Sequence, residues 1–158
     1  MTSARVQDAV GTAARLGLAA VWLISGGLKA VDPDATYLAV RAYDALPRAG
    51  VAVVAAVLPW LEIAIGLLLL VGLRVRVAAA LSVGLLLVFV AGVTQAWARG
   101  LSIDCGCFGG GGSVAPEETA YGRELLSDAV FLLLAGWLVV RPHTLGALDD
   151  RVSARERV

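Results

Sequence analysis

Between Val51 and Ala98 the chain carries two long apolar runs, Val51–Leu73 and Val77–Ala98, joined only by Arg74, Val75 and Arg76. Each run meets the roughly 20 residues that a helix needs to cross a bilayer. Backbone in hydrocarbon must satisfy its own polar groups, so such runs have to be helices. The short link makes the two helices antiparallel neighbours. Two further runs extend the pattern. Val10–Leu28 is broken by Arg15, and Leu125–Val140 reaches spanning length only with Tyr121 to Glu124 as its first turn. The expected fold is all-α: a four-transmembrane-helix bundle with helices at about 10–28, 51–73, 77–98 and 122–140. A single membrane domain, 1–148, would be followed by a polar cytoplasmic tail, 149–158.

Composition agrees with a bilayer as solvent. Hydrophobic residues make up 59% of the chain and charged residues 16%, against about 25% charged in soluble domains. The net charge is zero, so nothing favours nucleic acid. Arg15 fits a spanning helix if its side chain snorkels to the membrane edge. A cleaved signal peptide would also place Arg5 and Arg15 before an apolar core. Lys29, the acidic segment after it and the lack of a clear cleavage site favour an uncleaved first helix.

Orientation follows from the basic residues. With four crossings, Arg5, Arg15, Arg74, Arg76, Arg141, Arg151, Arg155 and Arg157 share one side. Lys29, Arg41, Arg48, Arg99 and Arg123 share the other with many acids. Both termini are then cytoplasmic and both long loops lie outside. The first outer loop predicts a short helix, with Asp32 as N-cap and Pro33 as first residue, running to about Leu46. Tyr37, Leu38, Tyr43 and Leu46 give it an apolar side suited to the membrane surface. The second outer loop, Arg99–Arg123, holds both cysteines and the run Gly109–Gly112, and reads as an irregular segment over the mouth of the bundle.

The two cysteines stand in Ile103-Asp104-Cys105-Gly106-Cys107-Phe108-Gly109. Cysteines at i and i+2 can bridge only if the chain bends sharply, which Gly106 permits. So small a ring is strained, and strained disulfides exchange readily. An outside location is also where disulfides persist. A static clip is one alternative. Metal binding is another: zinc asks for three or four protein ligands, and a copper(I) thiolate site could be completed by a partner. The sole histidine, His143, lies in the basic tail, and no metal ligands are assigned from the sequence.

Ionisable residues inside a membrane segment are costly and read by default as functional. Glu62 sits about 11 residues from the outer end of the second helix, roughly 17 Å deep. Asp128 lies about one turn below the outer end of the fourth. The structural reading is an interhelical hydrogen bond or ion pair, with Arg123 or Lys29 as partner of Asp128. Ser25, Lys29, Thr94, Gln95, Arg123 and Glu124 share this outer half with Trp22, Trp60 and Trp97. Tryptophans at that height usually form an interfacial belt. Alternatively, they would line a flat pocket between helices, suited to a quinone headgroup that exchanges protons with Glu62 or Asp128.

Several strings resemble one known family. They are Ser25-Gly26-Gly27-Leu28-Lys29 with Asp32-Pro33, then Leu58-Pro59-Trp60-Leu61-Glu62 with Gly66. Next come Cys105-Gly106-Cys107-Phe108-Gly109, the most specific string, and Arg123, Leu126 and Asp128. From the first helix to the end of the fourth, the chain resembles the MauE branch of the DoxX-like redox-associated integral membrane proteins. Family members often show Leu-Arg-Asp at the last site. Leu126-Ser127-Asp128 stands there instead, so a basic partner must come from Arg123 or elsewhere.

The resemblance implies a multi-pass protein of the bacterial cell membrane. It also implies thiol–disulfide chemistry or electron supply outside the cytoplasm, in support of maturation of an exported partner. DoxX relatives are linked to quinone-coupled sulfur oxidation, which makes a quinone the candidate cofactor. The leading expectation is a membrane thiol–disulfide oxidoreductase with Cys105 and Cys107 as catalytic pair. Its partners would be the lipid bilayer and an extracytoplasmic thiol or disulfide protein. Glu62 and Asp128 would handle protons or line a pocket, with Lys29, Arg123, Gln95, Trp60 and Trp97 in support. Two rivals stay open. One is a non-enzymatic metal-handling or assembly factor. The other is a DoxX-type enzyme acting on a small sulfur compound or peptide thiol, with structural cysteines.

Overall fold

The computed structural model describes residues 2–106 and 111–149, with side chains from Arg5 onward. Cys107, Phe108 and Gly109 of the cysteine motif, and Arg151, Arg155 and Arg157 of the tail, lie outside the described residues. The described elements are α1 (Thr2–Val31), α2 (Pro33–Ala42), α3 (Arg48–Val71), α4 (Val75–Ala98), β1 (Ile103–Asp104), β2 (Gly112–Ser113), a 3-10 turn (Pro116–Glu118) and α5 (Tyr121–Val140).

Three of these helices are long and apolar enough to cross a membrane: α1 from Arg5 to Val31, α3 and α4. The fourth expected span exists as α5 but is not apolar enough by the same measure. Arg123, Glu124 and Asp128 fall within its first eight residues. The difference from expectation is one of polarity at one end, since α5 packs along α4 as a bundle helix should.

Packing is pairwise. α1 lies against α3, α5 against α4, and α2 crosses over α3. Leu18, Ala19, Trp22, Ile65, Leu69, Ala78, Ala79, Leu86, Ala135 and Leu138 form one continuous buried core. The α1–α3 contact depends on glycine. A Cβ at Gly26 would stand 2.8 Å from the Pro59 carbonyl and 3.0 Å from Glu62 Cβ; one at Gly66 would meet Leu23 at 2.8 Å. Two strings read separately in the sequence are thus the two sides of one helix interface.

The α3–α4 hairpin turns on Gly72, which has a φ of 73°, and Arg74, with a φ of 49°. The carboxylate of Asp149 returns to this turn and accepts from the N–H groups of Arg74 and Val75, at 2.8 and 2.9 Å. Those N–H groups open α4 and have no partner within the helix. Asp149, the first residue of the expected polar tail, is therefore docked on the bundle.

Arg15 is buried at the end of α3, where it donates to the carbonyls of Leu69 (2.7 Å), Leu70 (3.0 Å) and Leu145 (3.4 Å). The last carbonyls of a helix lack partners and carry its negative pole, so a guanidinium held there is matched in both respects.

α2 follows the predicted cap: Asp32 accepts from the Ala35 N–H, and Pro33 opens the helix. It ends at Ala42 rather than near Leu46, because Asp44 takes a left-handed φ of 47°. The second long loop is more regular than expected. β1 and β2 pair antiparallel, Ile103 with Ser113 and Asp104 with Gly112, and β2 sits on α2.

Candidate functional site

Glu62 is fully buried on α3, and α1 delivers its partners. Lys29 Nζ lies 3.0 Å from both carboxylate oxygens and donates to Ser25 Oγ at 2.6 Å; Ser25 donates to Glu62 at 3.0 Å. Ser25 and Lys29 are four residues apart and so share one helix face. Gly26, between them, lets that face press onto Glu62. Removing two charges from water costs several kcal/mol per ion, so this cluster holds only because each member satisfies the others. Thr36 of α2 donates to the Lys29 carbonyl at 3.0 Å and ties α2 to the same place.

The cysteine loop closes the same end. Tyr121, in the first turn of α5, donates to the Leu101 carbonyl and accepts from the Ile103 N–H at 3.1 Å. Tyr43, just beyond α2, donates to the Cys105 carbonyl at 3.3 Å. Gly106 has a φ of 68°, in the left-handed region where a glycine costs least. Gly111 passes so close to α2 that a Cβ would stand 2.5 Å from Ala39 Cβ.

A cavity of about 170 Å³ joins the two regions. Lys29 and Thr36 form one part of its wall and Cys105 and Gly106 another, with Tyr43 and Phe89 as aromatic surfaces. Lys29 Nζ is 5.9 Å from the Phe89 ring centroid. Val54 of α3 and Val88 of α4 also line the cavity, and Val88 is 65% exposed on the apolar flank of the helices. The space therefore borders both the buried Lys29–Glu62 cluster and the Cys105 loop.

Behind Cys105 lies Glu124 of α5. Ligand atoms of Asp104, Cys105 and Glu124 lie within 4.8 Å of one another. Glu124 Oε2 is buried and makes no hydrogen bond among the described residues. In the sequence Glu124 is marked by its height among the polar residues of the outer half, and by standing one helical turn before Asp128.

The remaining residues singled out by sequence fall elsewhere. Asp128 is buried on α5 near Glu124, and pairs with neither Lys29 nor Arg123: Lys29 is taken by Glu62, and Arg123 is exposed. Gln95 has a buried Nε2 with no hydrogen bond among the described residues. Trp60 (66% exposed) and Trp97 (56% exposed) face outward and do not line the cavity; Trp97 stacks on Tyr121 at 6.0 Å. Trp22 is in the core and donates to Ser82 Oγ at 2.9 Å.

Three apolar helices, a fourth packed beside them and a cavity beneath a loop define a helical membrane protein with a chambered end. The chain belongs to the MauE family: the family model described as Methylamine utilisation protein MauE matches residues 7–141. No curated protein and no solved structure matches it.

Proposed function

We propose that this chain is a membrane thiol–disulfide oxidoreductase working outside the cytoplasm of a bacterial cell, with Cys105 and Cys107 as its redox pair. In this reading α1, α3, α4 and α5 all cross the bilayer, both termini are cytoplasmic, and the cysteine loop meets an exported partner. The observation that carries it is the position of Cys105 on the cavity wall, with carboxylate oxygens of Asp104 and Glu124 within 4.8 Å of its sulfur.

The chemistry is exchange. Two thiols of the pair reduce a partner disulfide and become a disulfide, or the reverse. A quinone bound in the cavity would supply an acceptor for two electrons and two protons. The residues present fit the ring of such a group, since Phe89 and Tyr43 offer flat surfaces. Val54 and Val88 leave the apolar flank through which a lipid-dissolved molecule would reach it.

The test is oxidation or reduction of a model exported thiol protein by the purified chain in lipid. Cys105→Ser and Cys107→Ser should each abolish it, and full activity in either variant would refute the reading. The cluster of Asp104, Cys105 and Glu124 favours a second reading, metal handling. One thiolate and two carboxylates, with Cys107 two residues on, would suit zinc. Stoichiometric metal in purified protein, lost in the cysteine variants, would support it over exchange.

A further inference from the structure

We propose that the end of the bundle where α5 meets α1 and α4 binds an anionic phospholipid, with Arg141 and Arg76 as the cations for its headgroup and Trp137 at the edge of the site. The site rests on α5 lying in the bilayer, and on no redox step.

α5 carries one exposed stripe along its length. Leu126, Val130, Leu133 and Trp137 follow one another at helical intervals, so they share a face, and all are exposed. Arg141 is the next residue of the series and is exposed as well. The stripe is therefore apolar until its last turn, where it ends in an indole and a guanidinium. The Arg141 guanidinium carbon lies 6.0 Å from the Trp137 ring centroid, and Nη1 donates to Gln7 Oε1 of α1. Gly11, one turn further along α1, lets α5 and the chain after it come close. A Cβ there would stand 3.2 Å from Thr144 Cγ2 and 3.9 Å from Trp137 Nε1. From α4, Arg76 Nε reaches the Val139 carbonyl at 3.1 Å, two residues before Arg141.

Arginines at the C-terminus of a helix commonly serve its free carbonyls and its negative pole. That role takes Nε of Arg76, and Gln7 takes Nη1 of Arg141, while both side chains stay exposed. No described carboxylate forms an ion pair with either. The acids of this end among the described residues are Asp8 and Asp149, and the Asp149 carboxylate is taken by the N–H groups of Arg74 and Val75. Arg5 and Arg74 are exposed here too, so positive charge is in excess.

Guanidinium, indole N–H and the amide N–H groups of Gln7 are all donors. Their ligand has to be an acceptor, and the charge asks for an anion. The apolar stripe that runs into the site asks for hydrocarbon on the same molecule. A phospholipid of net negative charge meets both demands. Its phosphate oxygens match a guanidinium fork, and its chains lie along Val130 and Leu133. An indole is most stable at headgroup level, which sets Trp137 at the boundary between the two parts.

The experiment uses the full chain, purified free of lipid in a neutral detergent and offered an equimolar mixture of phosphatidylglycerol and phosphatidylcholine with matched chains. Native mass spectrometry reads the ratio of the two on the folded protein. The parent should prefer phosphatidylglycerol. Arg141→Gln and Arg76→Gln should each lower that preference about fivefold, and Arg141→Lys should keep most of it. Arg99→Gln, at the opposite end of α4 and paired with Asp44 in the parent, should leave the ratio unchanged. The ratio is read on protein that still takes up phosphatidylcholine, so a loss of fold does not imitate a loss of the site.

Equal binding of the two lipids by the parent, an unchanged ratio in Arg141→Gln, or an equal fall in Arg99→Gln overturns the proposal. Glycerol phosphate, which has the anion without the chains, should not compete; full displacement by it would mean a site for a free anion and also overturns it. Leu133→Cys, in a chain with Cys105→Ser and Cys107→Ser, should resist a water-soluble maleimide in vesicles. Rapid labelling there would put α5 outside the bilayer, and the proposal would then fail with that placement and not for want of a phosphate site.

Discussion

Gly26 on α1 and Pro59 on α3 meet backbone to backbone, with room for a hydrogen but not for a methyl group. Lys29 sits one turn beyond this crossing and Glu62 one turn beyond Pro59, so the crossing sets the register of the buried ion pair. Gly26→Ala should push the helices apart, and overpacking of this kind costs roughly 1–3 kcal/mol. Thermal unfolding in detergent should show a lowered midpoint for Gly26→Ala and little change for Gly84→Ala, where nothing lies within 4 Å of an added Cβ.

The Lys29–Glu62 pair predicts an asymmetry between single and double variants. Lys29→Met leaves a carboxylate buried without its cation, at a cost on the order of 3–5 kcal/mol. Lys29→Met combined with Glu62→Gln removes both charges and should regain much of that loss. A double variant as unstable as Lys29→Met, measured by denaturation in the same detergent, would contradict this account.

Tyr121 holds the cysteine loop through its hydroxyl as well as through ring packing with Ile103. Tyr121→Phe keeps the ring and its stacking on Trp97 but leaves the Ile103 N–H without its acceptor. An unmet buried donor costs roughly 1–3 kcal/mol. Amide exchange around Ile103 should accelerate in this variant while α3 and α4 keep their protection.

Asp149 closes α4 from the far end of the chain. Asp149→Ala should cost about 0.5–2 kcal/mol, the range for loss of a helix N-cap, and Asp149→Asn, with one acceptor oxygen for two N–H groups, should retain only part of it. Equal stability of Asp149→Ala and the parent would mean that the capping contact carries no net free energy.

The long helices are legible in the sequence because spanning runs need only length and apolarity. Starts and ends are also written locally where a special residue stands: Asp32 with Pro33 opens α2, and Gly72 ends α3. What the sequence hides is pairing across the bundle. Lys29 and Asp128 look like partners by height alone, yet the glycine crossing hands Lys29 to Glu62. Trp60 and Trp97 look like pocket walls by height too, but their faces point outward, and Tyr43 and Phe89 line the cavity instead. Glu124 is legible as a polar residue of the outer half, but its place beside Asp104 and Cys105 shows only when the loop is folded back upon it.

Arg15 has a consequence for biosynthesis. Its carbonyl partners lie 54, 55 and 130 residues further along the chain. A chain is made from its amino end, so α1 emerges before the segments that carry these partners. The guanidinium is too expensive to leave bare in lipid, and must stay hydrated or sheltered until the α3–α4 turn arrives. Leu145 follows α5, so the final contact forms only after α5 has been made. One side chain thus sets a sequence of events for insertion: α1 enters first and is locked in place last.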